Sequence, residues 1–145
     1  MPMKPLRERV LLLLATAIAA LSVAGCSKSN NGQALAALNG KWLWYSTSGG
    51  FGGSGATSQS TGSRRSLVVG GNHFMLLVDG VTEANGTFAV QQADCMHDAS
   101  GKRMVIVFNP ASKYLPDYSC VAIHGDSLTL SEEAFDGFQY DFIKQ

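Results

Sequence analysis

The sequence carries little charge, and positive and negative side chains balance. Only 15% of its 145 residues are charged, with 11 basic against 11 acidic side chains. Beyond the first 25 residues, the adjacent basic pairs are Arg64-Arg65 and Lys102-Arg103. A nucleic-acid-binding domain concentrates basic residues on one face, because it must neutralise several phosphates. We therefore expect no nucleic-acid partner.

The sequence also lacks the motifs of common catalytic centres. The nearest approach to Gly-x-Ser-x-Gly, residues 52–56, ends in Ala56 and lies in a Gly-rich stretch without a strand-to-helix turn. The adjacent acids Glu132-Glu133 lie in a turn-like stretch, where we expect them to be solvated. Because no acid, base and nucleophile can be brought together from these residues, we predict no enzymatic activity and no cofactor.

Histidine is scarce, and its spacing fits no metal-ligand pattern. The candidate ligands are three histidines and three acids: His73, His97, His124, Asp94, Asp98 and Asp126. His73 directly follows a turn residue, which is typical of a surface position. We predict no metal site.

No apolar run is long enough to cross a membrane as a helix, which needs about 20 residues. The amino terminus instead has three basic residues (Lys4, Arg7 and Arg9), then an apolar run over residues 10–21, then small residues ahead of Cys26. A charged start, a short apolar run and small residues are the three parts of an export signal. We predict that residues 1–25 are a signal peptide absent from the mature protein.

Residues 21–26, Leu-Ser-Val-Ala-Gly-Cys, resemble the lipobox of bacterial lipoproteins. The resemblance implies a diacylglycerol on the Cys26 thiol and further acyl chains such as palmitate. Several chains on one residue hold a protein stably on a lipid bilayer. An ordinary signal peptide that is cut elsewhere and leaves Cys26 free is the alternative. We expect a lipid-anchored protein that faces the periplasm.

The residues after Cys26 bear on the choice of membrane. Ser27, where Asp would signal retention, resembles an enterobacterial outer-membrane address, whereas Lys28-Ser29 resembles a pseudomonad inner-membrane signal. We favour the outer membrane. The predicted organisation is a lipidated cysteine and tether over residues 26–33 and one β-barrel domain over residues 34–145, which is long enough for a single core.

Cysteine is limited to three residues, and lipidation of Cys26 leaves Cys95 and Cys120 as a pair. An even pair in an oxidising compartment favours a disulfide, which would stabilise the domain by about 3 kcal/mol. Two free thiols or a two-cysteine metal site are the alternatives.

Beyond the tether, the chain alternates short apolar strands with turn residues. Residues 33–38 predict a short helix, which Asn39-Gly40 ends. The uncharged residues 48–63 predict a long loop, and turns are predicted at residues 70–72, 79–80 and 85–86. The predicted strands are a first one from Lys41 and then residues 66–69, 73–78, 81–84, 87–90, 104–108, 118–123, 127–130 and 138–143. Residues 81–84 are short and could be only an extension of a neighbouring strand. Seven or eight short strands without helical periodicity predict an all-β fold, an antiparallel barrel or sandwich, of which we favour the up-and-down barrel.

Two segments resemble the lipocalins. Gly40-Lys41-Trp42, after a short helix and at the start of the first strand, is similar to the amino-terminal lipocalin signature. Residues 125–130 and 136–142, with the Gly/Ser loop, resemble small bacterial lipocalin-like lipoproteins. The resemblance implies a barrel that holds a small ligand. Lys144 stands where lipocalins have an Arg packed over the conserved Trp.

Five aromatic residues, four on the predicted strands and Phe51 in the predicted loop, are the candidate ligand-binding residues: Trp42, Trp44, Phe51, Phe74 and Tyr140. They could equally form the core, and the loop around Phe51 could be a lid or a solvated loop. The first functional hypothesis is binding of a small apolar or amphipathic ligand. The second is an envelope protein-protein interaction or inhibitor module with a solid core. A filled interior with an apolar surface patch would favour the second hypothesis.

Overall fold

The computed structural model describes residues 30–145, with side chains from residue 32 onward. Two helices and nine strands follow one another in this part of the chain. Their bounds are α1 (Asn30–Leu38), β1 (Gly40–Gly49), β2 (Ser54–Thr57), α2 (Ser58–Thr61), β3 (Arg65–Gly70), β4 (His73–Val78), β5 (Val81–Cys95), β6 (Asp98–Asn109), β7 (Tyr118–His124), β8 (Ser127–Glu132) and β9 (Phe138–Lys144). The predicted signal peptide, Cys26 and most of the tether lie outside the described residues.

Eight of the strands close into an antiparallel barrel. β1 pairs with β3, each strand from β3 to β9 pairs with the next, and β9 pairs back with β1. β2 lies outside this ring and pairs with the last residues of β1, from Ser46 to Gly49, beyond the part of β1 that pairs with β3. The predicted all-β fold, an antiparallel up-and-down barrel after a short helix, is confirmed.

Side chains fill the barrel interior. Residues on alternate positions of each strand point inward, and the largest of them are fully buried. An eight-stranded barrel is just wide enough to be filled in this way. The buried cluster consists of Leu38, Trp42, Trp44, Leu67, Val69, Phe74, Leu76, Ala84, Phe88, Ile106, Phe108, Leu115, Val121, Leu128, Leu130 and Phe142.

The helix α1 covers one end of the barrel, which we call the helix end. Leu38, at the end of α1, is buried, and its carbonyl accepts a hydrogen bond of 2.7 Å from the Trp42 indole nitrogen. The Lys144 ammonium lies 5.0 Å from the centre of the Trp42 ring. An ammonium group thus lies near the ring of Trp42, close to the start of the first strand.

The opposite end, the loop end, is formed by four connections. In an up-and-down barrel the connections alternate between the two ends, so those after β1, β4, β6 and β8 lie together. They comprise residues 50–64, which include β2 and α2, and residues 79–80, 110–117 and 133–137. The functional candidates described below lie at this end.

The hairpin of β5 and β6 is the longest in the barrel, and a disulfide holds its tip. Cys95 and Cys120 are joined, with their Cα atoms 6.1 Å apart, as predicted. The backbone nitrogen of Met96 donates to the Glu133 carboxylate, and the His97 ring nitrogen lies 3.1 Å from the Ala134 carbonyl oxygen. The tip therefore lies against β7 and the connection between β8 and β9.

The turn predicted at residues 85–86 is wrong, because β5 runs through it without interruption. Ala84 and Asn85 pair with β4, and Gly86 continues the ladder opposite Phe74. A Cβ at Gly86 would collide with the Asn109 carbonyl and lie 2.6 Å from Pro110. This glycine permits a close approach of backbone to backbone rather than a turn.

The long loop predicted over residues 48–63 is largely ordered, which corrects that prediction. β1 extends to Gly49, and β2 pairs back onto it. A capping box between Thr57 and Ser60 then starts the single turn of α2, which ends at Gly62 with φ of 64°. The first helix begins at Asn30, three residues before the predicted start and within the predicted tether.

Candidate functional site at the loop end

A ring of inward-facing polar and aromatic side chains lies at the loop end, where the apolar core stops. Five neighbouring strands contribute one residue each: Arg65 from β3, Trp44 from β1, Tyr140 from β9, Glu132 from β8 and Ser119 from β7. Tyr114, in the connection between β6 and β7, lies over Arg65. We call these six residues the loop-end cluster.

Arg65 lies between two aromatic rings. Its guanidinium carbon is 3.9 Å from the centre of the Trp44 ring and 4.5 Å from the centre of the Tyr114 ring. Such cation–π contacts hold a guanidinium in one orientation. Each contact contributes about 1 kcal/mol of stabilisation. The Trp44 indole donates a 2.8 Å hydrogen bond to the Thr47 hydroxyl, which fixes the ring against which Arg65 rests.

Arg65 has no ionic partner among the described residues. It takes part in neither of the salt bridges found between residues 30 and 145, and its buried Nε has no hydrogen-bond partner there. Burial lowers the pKa of Arg65, although nearby Tyr114, Tyr140 and Asp79 act in the opposite direction. A partly buried positive charge without a counter-ion is the main electrostatic feature of the cluster.

The nearest acids are engaged elsewhere. Glu132 accepts a 2.9 Å hydrogen bond from the Phe138 backbone nitrogen and a 3.3 Å bond from the Tyr140 hydroxyl. Asp79 accepts a 2.7 Å bond from the Arg64 backbone nitrogen. Burial, with the negative charge of Glu132, raises the pKa of Tyr140 to about 12. Tyr140 therefore remains a hydrogen-bond donor at every physiological pH.

Ser119 is the deepest polar residue of the cluster. It is fully buried, it pairs with Glu132 across β7 and β8, and its hydroxyl has no partner among the described residues. A buried polar atom without a partner costs about 1–3 kcal/mol, so such an atom in a folded protein requires an explanation. Ser119 is thus a second residue of the cluster, besides Arg65, with a buried polar atom that has no partner among residues 30–145.

The five predicted ligand-binding residues do not form one pocket. Trp42 (0% exposed) and Phe74 (2%) belong to the filled core. Trp44 (1%) is also buried, but its ring lies against Arg65, and Tyr140 lies in the same cluster. Phe51 is fully exposed. The structure therefore brings two of the five, Trp44 and Tyr140, to the loop-end cluster.

Phe51 and Phe135 form a second feature of the loop end. Phe51 lies in the turn between β1 and β2, Phe135 lies between β8 and β9, and both side chains are exposed (101% and 95%). The two connections adjoin where β1 ends and β9 begins, because a Cβ on Gly50 would lie 3.0 Å from the Phe138 ring. Two exposed phenylalanines on adjoining turns are unusual, because most large apolar side chains are at least partly covered.

A polar groove of about 440 Å³ runs along the outside of the barrel, beside the tip of the β5–β6 hairpin. His97 and His124 line it, with the ion pair of Asp98 and Arg103, whose closest atoms are 2.6 Å apart. His73 lies elsewhere, at the start of β4. Within residues 30–145, Cys95, Cys120 and Glu133 have the spacing of metal ligands, but the disulfide occupies both sulfur atoms.

Comparisons with protein-family models, with curated proteins and with solved structures found no match. None of the helices within residues 30–145 has the length and apolar character needed to cross a membrane.

Four residues of the cluster were not predicted as site residues: Arg65, Tyr114, Ser119 and Glu132. Glu132, which was expected to be solvated in a turn, instead lies in β8 and accepts hydrogen bonds there, which corrects that expectation. A signal was present, because period two places Arg65 on the same face as Leu67 and Val69, which are both buried. Tyr114 gives no such signal, since it belongs to a connection without regular periodicity.

Proposed function

We propose that the protein is an exported lipoprotein, attached through Cys26 to the periplasmic face of the outer membrane. The lipobox resemblance and the three-part export signal support this proposal. The short interval between Cys26 and the start of α1 at Asn30 supports a barrel held close to the bilayer, with its helix end nearest.

Two variants test the anchor. Labelling with radioactive palmitate is expected for the natural chain and not for Cys26→Ser, and the label should sediment with outer membranes. Ser27→Asp, a matched change at the sorting position, is expected to move the protein to inner membranes. Labelling that persists in Cys26→Ser would contradict the proposal.

We further propose that the barrel is a rigid interaction module that binds an envelope protein at its loop end. The filled interior carries this proposal, because a barrel occupied by its own side chains has no deep cavity for a ligand. Phe51 and Phe135 supply the apolar contacts that protein partners bury. We propose a protein rather than a membrane as the partner, because the loop end lies opposite the helix that follows the anchor.

Site-specific photo-crosslinking in living cells tests this surface. A photoreactive side chain at position 51 or 135 is expected to give the same discrete product. The control is position 143, which is partly exposed on the outer wall near the helix end. Loss of the product at position 135 in Phe51→Ser would confirm one common surface. Equal crosslinking at position 143 would overturn the proposal.

Binding of a small ligand, as the lipocalin resemblance implies, is the second candidate function. Contact of Trp44 and Tyr114 with Arg65 favours it, because aromatic side chains around a few polar groups are typical of ligand sites. Since the core is filled, such a ligand would bind at the loop end and not inside the barrel. We propose no catalytic role, because the cluster offers no nucleophile with an adjacent base.

A further inference from the structure

We propose that Arg65 binds the carboxylate group of a small ligand at the loop end. The site comprises the guanidinium of Arg65, the two rings that contact it and the Tyr140 hydroxyl. This binding does not depend on the partner surface formed by Phe51 and Phe135.

The charge of Arg65 indicates the sign of the ligand. Arg65 is partly exposed, so its outer nitrogens can be reached from the loop end. Asp79, the acid whose charge acts on Arg65, and Glu132, which is bonded to Tyr140, already accept hydrogen bonds from other groups, and neither forms a salt bridge with Arg65. A bound anion would therefore compensate a charge that the described residues leave unpaired.

The rings indicate the shape of the ligand. Trp44 and Tyr114 contact the guanidinium, so the directions left for hydrogen bonds lie mainly along its edge. A guanidinium edge matches the two oxygens of a carboxylate in a planar, bidentate pair. A phosphate can also pair with this edge through two oxygens, so the assignment to a carboxylate rests on its flatness, which lets the whole group lie in the plane of the guanidinium.

The filled core limits the ligand to a small molecule. Leu130 and Phe142, the next inward-facing residues below Glu132 and Tyr140, are buried, so a long apolar tail cannot enter the barrel. The remainder of the ligand must extend outward past Tyr114. Tyr140 stays protonated at neutral pH and can donate to a carboxylate oxygen if its weak 3.3 Å bond to Glu132 opens.

Nuclear magnetic resonance titration of the mature protein with sodium acetate tests the site. The expected result is a saturable shift of the Arg65 Nε–H and Trp44 indole signals, with the Trp42 indole signal unchanged. Inorganic phosphate at matched ionic strength forms the second arm, and it is expected to bind at least several-fold more weakly. Tighter binding of phosphate would overturn the carboxylate assignment.

Three variants locate the binding. Arg65→Gln is expected to weaken acetate binding about tenfold or more, because a charge-assisted bidentate contact is lost. Arg64→Gln removes an adjacent positive charge outside the cluster and should leave the affinity unchanged. Arg65→Lys keeps the positive charge but lacks the planar guanidinium. Its acetate affinity should therefore lie between those of Arg65→Gln and Arg64→Gln.

The titration of the natural protein tests acetate binding even if a variant cannot be studied. If Arg65→Gln fails to fold, as its spectrum would show, Tyr114→Ala removes one ring from a connection and should still weaken binding. Shifts that do not saturate, or that are equal in Arg65→Gln and the natural protein, would overturn the proposal. Failure of acetate binding would leave the crosslinking test of the partner surface unaffected.

Discussion

Tyr140 shows that the direction of a side chain can be predicted from the sequence, whereas its place in the core or in the site cannot. Period two in residues 138–143 correctly placed Tyr140 on the inward face with Phe142. The same pattern could not distinguish core from site, because alternation gives the direction of a side chain and not the space in front of it. Trp42 and Phe74 fill the interior, whereas Tyr140 reaches the polar loop-end cluster. The filled space depends on residues from all eight strands, which no local pattern describes.

The raised pKa of Tyr140 predicts a loss of stability at alkaline pH. The folded protein keeps this proton up to a pKa of about 12, whereas the unfolded chain loses it near 10. The contribution of Tyr140 is therefore fully present below pH 10 and is lost as the pH rises through about 12. Urea unfolding of the natural protein should show a steeper fall in the free energy of unfolding over this range than Tyr140→Phe does.

Tyr45→Phe is the control for this prediction, because Tyr45 is exposed on the outer face of β1. Its pH profile should match that of the natural protein between pH 10 and 12. Identical profiles for Tyr140→Phe and the natural protein would show that burial does not perturb Tyr140.

At the scale of elements, turn residues predicted most hairpins correctly. Residues 70–72 and 79–80 connect β3 to β4 and β4 to β5, as their glycines indicated. Residues 85–86 carry an equally strong turn signal but lie within β5. Gly86 is required there because the backbone of Asn109, which is distant in sequence, packs closely against it. Local turn chemistry cannot separate these two uses of glycine.

Gly86→Ala is predicted to destabilise the barrel by about 1–3 kcal/mol or more. The new Cβ would collide with the Asn109 carbonyl, and both lie in paired backbone that cannot easily move. Gly70→Ala is the matched control, because a Cβ there meets nothing within 4 Å. Urea unfolding should show a large loss for the first variant and almost none for the second. Equal effects would contradict the close approach.

The disulfide is predicted to stabilise the domain by about 3 kcal/mol, since it closes a loop with a sequence separation of 25. The double variant Cys95→Ala and Cys120→Ala should unfold at correspondingly lower urea concentration. Reduction of the natural protein is the control and should give a similar loss. An unchanged midpoint in both would show that the β5–β6 tip is held by other contacts.

For the whole molecule, the closed barrel was predictable from the sequence, whereas the register of the strand pairing that closes it was not. Strand number and alternation indicated an antiparallel barrel. Closure requires β1 to pair with β9, for example Trp44 with Phe142, almost the full length of the domain apart. The first and last strands carry no mark of this partnership in their own sequences. The ordering of residues 54–61 was also missed, because their composition indicates only a flexible loop.

The filled interior predicts that the barrel carries no deeply buried ligand. Native spectra of mature Cys26→Ser protein purified from a periplasm should show no long-chain apolar adduct, whereas a small carboxylate bound at the loop end is compatible with the filled core. Thiol alkylation should leave Cys95 and Cys120 unmodified until reduction. A long-chain apolar adduct lost on denaturation would contradict the solid core and favour a lipocalin-like cavity.

The opposition of helix end and loop end has a mechanical consequence. With the chain tethered ahead of α1 and a partner held near Phe51, tension would run roughly along the strands. Ladder hydrogen bonds between β1 and its neighbours lie across that direction, so many would have to break together. A force perpendicular to the strands would instead break the same inter-strand hydrogen bonds one at a time. With the proposed anchor and the proposed partner both in place, the barrel would resist a pull between them by shear.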